Sequence, residues 1–229
     1  KIKSALILCA GYGKRLQPIT NDTPKSLLKI KNINLLDNAL NFVKSIGINN
    51  IKINTFYLGE KIKNFIENKN YSLNIEVLSD GEKILDTGGG IFNLIKQSEE
   101  DDFLILNPDT LWSNNYKKSI IDMKQFYFSN KIKNILLLTN KNISFDKKLK
   151  GDFHLEKNRI KKENQNDFIY TGCQIINKDL FNSYQVSNFS MSEIWDPLII
   201  QNKLYGYEGL ESFYHLTNLE VYKELLKNN

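Results

Sequence analysis

Over the first 140 residues, short apolar runs alternate with amphipathic stretches, and this rhythm restricts the chain more than any other feature. "SALILCA" at 4–10 is almost continuously apolar, which reads as a strand buried on both faces. Residues 35–47 repeat apolar side chains at Leu36, Leu40 and Val43 and stop at Gly47, the pattern of a helix with a glycine cap. Strands are then predicted over 50–56, 73–79, 103–107 and 134–139, with helices over 58–68, 89–97 and 116–128 between them. Strand and helix alternating at this spacing require βαβ units and a mainly parallel sheet. The expected fold class is therefore α/β, a Rossmann-like mixed, mainly parallel sheet flanked by helices.

After Lys141 the rhythm changes. "DFHLE" at 152–156 and "FIYTGCQII" at 168–176 are strand-like, and two helices follow. Ser190 with Glu193, and Thr217 with Glu220, have capping-box spacing. No linker rich in Gly, Pro or Ser divides the chain, so one domain over 1–229 is expected, with β-structure of its second half set over the mouth of the sheet.

Composition closes several routes. The net charge is +5, but the lysines are interleaved with Asn, Glu and Ile, as in "EKNRIKKENQN", and no nucleic-acid signature accompanies them. The charge suits a solvated surface and anionic small molecules better than nucleic acid. No apolar run reaches the roughly 20 residues of a membrane span. Cys9 and Cys173 lie far apart and form neither a disulfide framework nor a zinc spacing, so a cytoplasmic setting is expected.

The densest segment is "LCAGYGKRLQPITNDTPKSLL", 8–28, directly behind the first strand. In an open α/β sheet, ligands sit beyond the carboxyl ends of the strands, where this loop begins. Gly11 and Gly13 allow backbone N–H groups close to an anion, and Arg15 and Lys25 add cationic donors for phosphate oxygens. Pro18 and Pro24 stiffen the return. It is not a Walker loop, lacking Gly-Lys-Ser/Thr, and Leu16 stands where a dinucleotide fingerprint has its third glycine.

Taken whole, the string carries Leu8, Gly11, Gly13, Arg15, Leu16, Pro18, Thr20, Pro24 and Lys25 at the spacing of the sugar-1-phosphate nucleotidyltransferase signature, and it resembles that family. "ILDTGGGIFNLI" at 84–95 is similar to a segment of the short members that act as N-acetylmuramate-1-phosphate uridylyltransferases. The resemblance implies catalytic roles for Arg15 and Lys25, and nucleotide binding by Ala10, Gly11, Gly13, Thr87 and Gly88. It also implies sugar contacts at Thr171 and Gly172 in "YTGCQII", and Mg2+ on Asp109 in "LILNPDTLW". Residues 1–140 would then form the nucleotide-binding half and 141–229 the sugar-phosphate-binding half. Each landmark also has a plain structural use. Gly88 to Gly90 suit a tightly packed helix start, Asp109 suits a turn cap, and Trp112 and Trp195 suit packing.

The chain departs from the family near its end. "FYHLTNLE", 213–220, places His215 where relatives have the second metal-binding aspartate. A neutral imidazole can ligate, but nitrogen matches Mg2+ less well than carboxylate, and a pocket-lining histidine is the alternative. The implied reaction is attack of a sugar 1-phosphate on the α-phosphorus of a nucleoside triphosphate, UTP in the nearest group, with pyrophosphate leaving. A mannose-1-phosphate guanylyltransferase, a cytidylyltransferase of the same fold and a degenerate nucleotide-binding regulatory protein are the competing readings. A monomer or small homo-oligomer is expected.

Overall fold

The structure, a computed structural model, describes residues 1–227. The first half runs β1 (Ser4–Leu8), a small hairpin of β2 (Lys29–Ile30) and β3 (Ile33–Asn34), α1 (Leu35–Ser45), β4 (Asn50–Thr55), α2 (Gly59–Glu67) and β5 (Asn74–Ser79). It continues through α3 (Asp86–Ile95), β6 (Asp102–Leu106), α4 (Tyr116–Ser129) and β7 (Asn134–Asn140). The second half adds β8 (His154–Glu156), β9 (Arg159–Lys161), β10 (Phe168–Asn177), α5 (Ser192–Ile200), β11 (Tyr205–Gly209) and α6 (Leu219–Lys227).

One sheet crosses both halves in the order β5-β4-β1-β6-β10-β7-β11-β9-β8. β5, β4, β1 and β6 are mutually parallel neighbours. β10 lies antiparallel to both β6 and β7, and β11 parallel to β7. The first-half strands and β7 and β11 therefore all aim their carboxyl ends at one edge. The alternation of side chains along each strand feeds two cores. Ala5 and Ile7, with Leu104, Leu106 and Leu137, pack under α1, α2 and α4. Leu6, Phe103 and Ile105 face α3 and α5 through Ile91, Leu94 and Ile194.

The mixed, mainly parallel α/β class is as expected, and the second-half strands refine it. They do not sit over the mouth as a separate layer. β10 enters the centre of the sheet, and β8 and β9 extend its far edge. α3 begins at Asp86, three residues ahead of the expected start, because residues 187–191 supply partners for its first turn. The Thr217–Glu220 capping box is not made. The Thr217 hydroxyl donates to Asp146 Oδ2 at 2.9 Å, Glu220 pairs with Lys148, and Asn218 Oδ1 accepts the Val221 N–H at 3.0 Å and caps α6. At the other box, Ser190 Oγ accepts from Ser192 N at 3.2 Å.

A third core ties the opening loop to the last helix. Leu16 packs with Leu28, Ile30, Leu35, Leu216, Val221 and Leu225, and is 1% exposed. Truncating a leucine at such a site costs roughly 2–5 kcal/mol. We expect Leu16→Ala to lose that much in urea denaturation, while Leu210→Ala, at a position 79% exposed, stays within about 0.5 kcal/mol of the parent.

Candidate active site

A pocket of about 310 Å³ opens at the carboxyl edge of β1, β4 and β6. The end of β1, the loop behind it, residues 84–87 and the segment after β6 build its walls. The root of the loop is held by a side chain from the neighbouring strand. Cys9 N donates to Asn54 Oδ1 at 3.0 Å, and Asn54 Nδ2 donates to the Asp80 carboxylate at 3.2 and 3.4 Å. Burial pushes the Asp80 carboxyl above its ordinary range, partly offset by the Asn54 and Leu85 hydrogen bonds.

The loop's two glycines have different uses. Gly13 is left-handed (φ 65), and a Cβ there would meet Thr20 Cγ2 at 2.9 Å, so the protein itself requires glycine. At Gly11 a Cβ would meet nothing within 4 Å, so that space is open toward the pocket. Short turns at Lys14–Leu16, Ile19–Asn21 and Lys25–Leu27 bring the loop back, with Thr20 Oγ1 donating to Gly13 O at 2.8 Å. Tyr12 lies against Phe56 and Tyr57, with Lys14 Nζ 5.2 Å from its ring centre.

Lys25 Nζ meets Asp109 Oδ2 at 2.5 Å, both side chains less than one-fifth exposed. Burial raises the Asp109 carboxyl, but the Lys25 ammonium and His215 overcome it and hold it at about 2. Asp109 is therefore charged at any working pH. Its Oδ1 is buried and has no hydrogen-bond partner among the described residues; His215 Nδ1 lies 3.7 Å away.

His215 is fixed by a strand-like contact between residues 109–111 and 214–216, in which Leu111 N donates to Tyr214 O and Leu216 N to Asp109 O. Thr110 Oγ1 lies 2.7 Å from the Thr171 carbonyl and 3.0 Å from His215 Nδ1. A carbonyl can only accept, so the hydroxyl proton goes to Thr171 and the imidazole must carry its proton on Nδ1. Burial lowers the His215 pKa against the pull of Asp109, which keeps the ring neutral with a lone pair only on Nε2.

Of the residues singled out in the sequence, Ala10, Gly11, Gly13, Arg15, Lys25, Thr87 and Asp109 line one pocket. Gly88, Thr171, Gly172 and His215 stand behind its lining. Gly88 N and Gly89 N both donate to Phe189 O, at 2.9 and 3.1 Å, and a Cβ on Gly88 would strike the Phe189 ring at 2.4 Å. The glycine run thus serves close packing, the structural use weighed for it. Thr171 is fully buried and donates to Leu137 O, while Gly172 (φ 85) sits in a bulge against Asn107.

The sequence reading missed Asn54, Asp86, Asn107 and the buried Ser26 hydroxyl, which also line the pocket. Asn54, a polar residue inside the apolar run "IKINTF", was the one visible hint.

Residues 4–142 match the nucleotidyl transferase family. The chain is 24% identical over 217 residues to an N-acetylmuramate alpha-1-phosphate uridylyltransferase of Caulobacter vibrioides, covering 91% of this chain and 90% of that one. It is 26% identical over 219 residues to a D-glycero-alpha-D-manno-heptose 1-phosphate guanylyltransferase of Aneurinibacillus thermoaerophilus, covering 89% and 88%. Its fold superposes on the inositol-1-phosphate CTP transferase of T. maritima with a TM-score of 0.77 at 17% identity, covering 99% and 95% of the two chains. With the signature of its opening loop folded into a pocket at the carboxyl edge of such a sheet, the chain belongs to the nucleotidyl transferase family and is a nucleotidyltransferase enzyme.

Proposed function

We propose that the protein transfers the nucleotidyl group of a nucleoside triphosphate, UTP, to a sugar 1-phosphate, N-acetylmuramate 1-phosphate, giving the nucleoside-diphosphate sugar and pyrophosphate. The observation that carries this reading is the gathering of Lys14, Arg15, Lys25 and the open space at Gly11 around one pocket with the charged Asp109. The uridylyl and N-acetylmuramate assignments are supported by the relative of Caulobacter vibrioides that spans nine-tenths of the chain.

A phosphate monoester is largely ionised at neutral pH, so it attacks the α-phosphorus without a general base. The new P–O bond forms as the bond to the pyrophosphate oxygen breaks. What the site supplies is alignment and neutralisation of charge. Arg15 and Lys14 hold the polyphosphate over the loop amides. Lys25, braced by Asp109, faces the oxygens of the α-phosphate and the acceptor.

Asp109 also fits Mg2+. Its Oδ1 is a buried anionic oxygen without a partner, and Mg2+ is commonly held by one or two carboxylates with substrate phosphates completing its shell. No group of three or more His, Cys, Asp and Glu side chains suited to a metal occurs among the described residues, which agrees with a site completed by substrate. The ion would supply Lewis-acid neutralisation of phosphate charge. With Nδ1–H committed to Thr110, His215 can join the metal only through Nε2.

Arg15 is exposed and outside every core, so Arg15→Ala should lower kcat/KM by about 10²–10³ and leave the melting temperature within a few degrees. Wild-type turnover by that variant in a pyrophosphate-release assay would remove the triphosphate assignment. Asp109→Asn keeps the shape but loses the charge. Its activity should collapse at ordinary Mg2+ concentrations, and EDTA should silence the parent enzyme. His215→Asp is expected to shift metal preference from Mn2+ toward Mg2+, checked by metal-dependence curves beside those of His215→Ala; identical curves for parent and both variants would take His215 out of the metal set.

A further inference from the structure

Asp86 opens α3 in the left-handed region (φ 59), a conformation that costs a non-glycine residue energy and that persists where surroundings hold it for a purpose. Its Oδ1 accepts the N–H of Thr87 at 2.6 Å, and the residue stays exposed on the wall of the pocket beside Ile84 and Thr87. The backbone donors around it are spent. Leu85 N donates to Asp80 Oδ2 at 3.4 Å, and Gly88 N and Gly89 N donate to Phe189 O. The Thr87 hydroxyl oxygen accepts from Met191 N at 2.9 Å. This wall therefore offers a ligand a carboxylate acceptor where a helix start would ordinarily offer N–H donors. A carboxylate repels phosphate, so the polyphosphate belongs with Lys14, Arg15 and Lys25, and the wall of Ile84, Asp86 and Thr87 is left to the base.

We infer that Asp86 is the base-selecting residue, its carboxylate accepting the ring imino proton of the nucleobase. Uracil, thymine and guanine carry an N–H at the centre of their pairing edge. Cytosine and adenine carry a lone pair there, which faces a second anionic lone pair and makes no bond. The site thus takes imino-bearing triphosphates and rejects CTP and ATP. This rests on the reading that the pocket holds a nucleoside triphosphate, and it separates the chain from CTP-using members of the fold.

Asparagine accepts the left-handed conformation readily and can turn its amide to donate to a ring lone pair, so Asp86→Asn tests the idea without disturbing the fold. Isothermal titration with UTP, GTP, CTP and ATP in Mg2+ buffer should show UTP or GTP bound about 100-fold more tightly than CTP and ATP by the parent protein. In Asp86→Asn the gap should close to less than tenfold, with CTP gaining. A parent that binds CTP or ATP as tightly as UTP and GTP, or an Asp86→Asn protein that keeps the parental ratio, overturns the inference. Pyrophosphate release with CTP as fast as with UTP in the presence of a sugar 1-phosphate also overturns it, while leaving the proposed transfer standing. The expected order of binding without pyrophosphate release from any pairing supports the inference and removes the transfer reaction instead. Absence of binding by every triphosphate removes both.

Discussion

The contact between Lys25 and Asp109 organises this molecule around its pocket. Lys25 comes from the return of the opening loop and Asp109 from the segment after β6, so the pair closes a link of 84 residues at the carboxyl edge of the sheet. Two half-buried charges at this distance stabilise one another only because each finds the other, and removing either would leave an uncompensated charge. The pair also leaves a result beyond stability. With Oδ2 engaged and the carboxyl held at about 2, Oδ1 remains an anionic oxygen with no protein partner. Structure around it follows the same logic, since residues 109–111 pair with 214–216 and thereby fix His215 and its tautomer.

Much of this was legible before any coordinates. Periodicity placed the alternating elements of the first half, because a buried parallel strand and an amphipathic helix leave different marks on a sequence. The loop signature brought Arg15, Lys25 and the glycines to one place because loop chemistry is local. Contacts between distant segments were not legible. Thr217 resembles a helix cap until Asp146 takes its hydroxyl. Gly88 resembles a nucleotide contact until Phe189 takes its N–H. Asp80 cannot be linked to the loop root without seeing Asn54 between them. In each case a side chain or amide with a plausible local partner was taken by a segment far along the chain.

The same competition explains the pocket's chemistry. Helix starts present free N–H groups, and in α3 residues 187–191 absorb them: Gly89 leaves so little room that a Cβ there would lie 1.9 Å from Ser187 O. The second half of the chain thereby changes what the first half offers to a ligand, turning a donor-rich wall into one whose exposed group is a carboxylate.

The apolar floor beneath the opening loop has a consequence in time. Leu16 rests on Leu216, Val221 and Leu225, so one of the first segments to leave the ribosome is completed by one of the last. Until α6 arrives, the loop has its glycines and cations but no surface on which to settle. Contacts of such sequence separation form late, after local helices and the parallel strands have collapsed. The nascent chain therefore carries an unformed phosphate cradle through most of its synthesis, and becomes competent for nucleotide only when the sheet is already built.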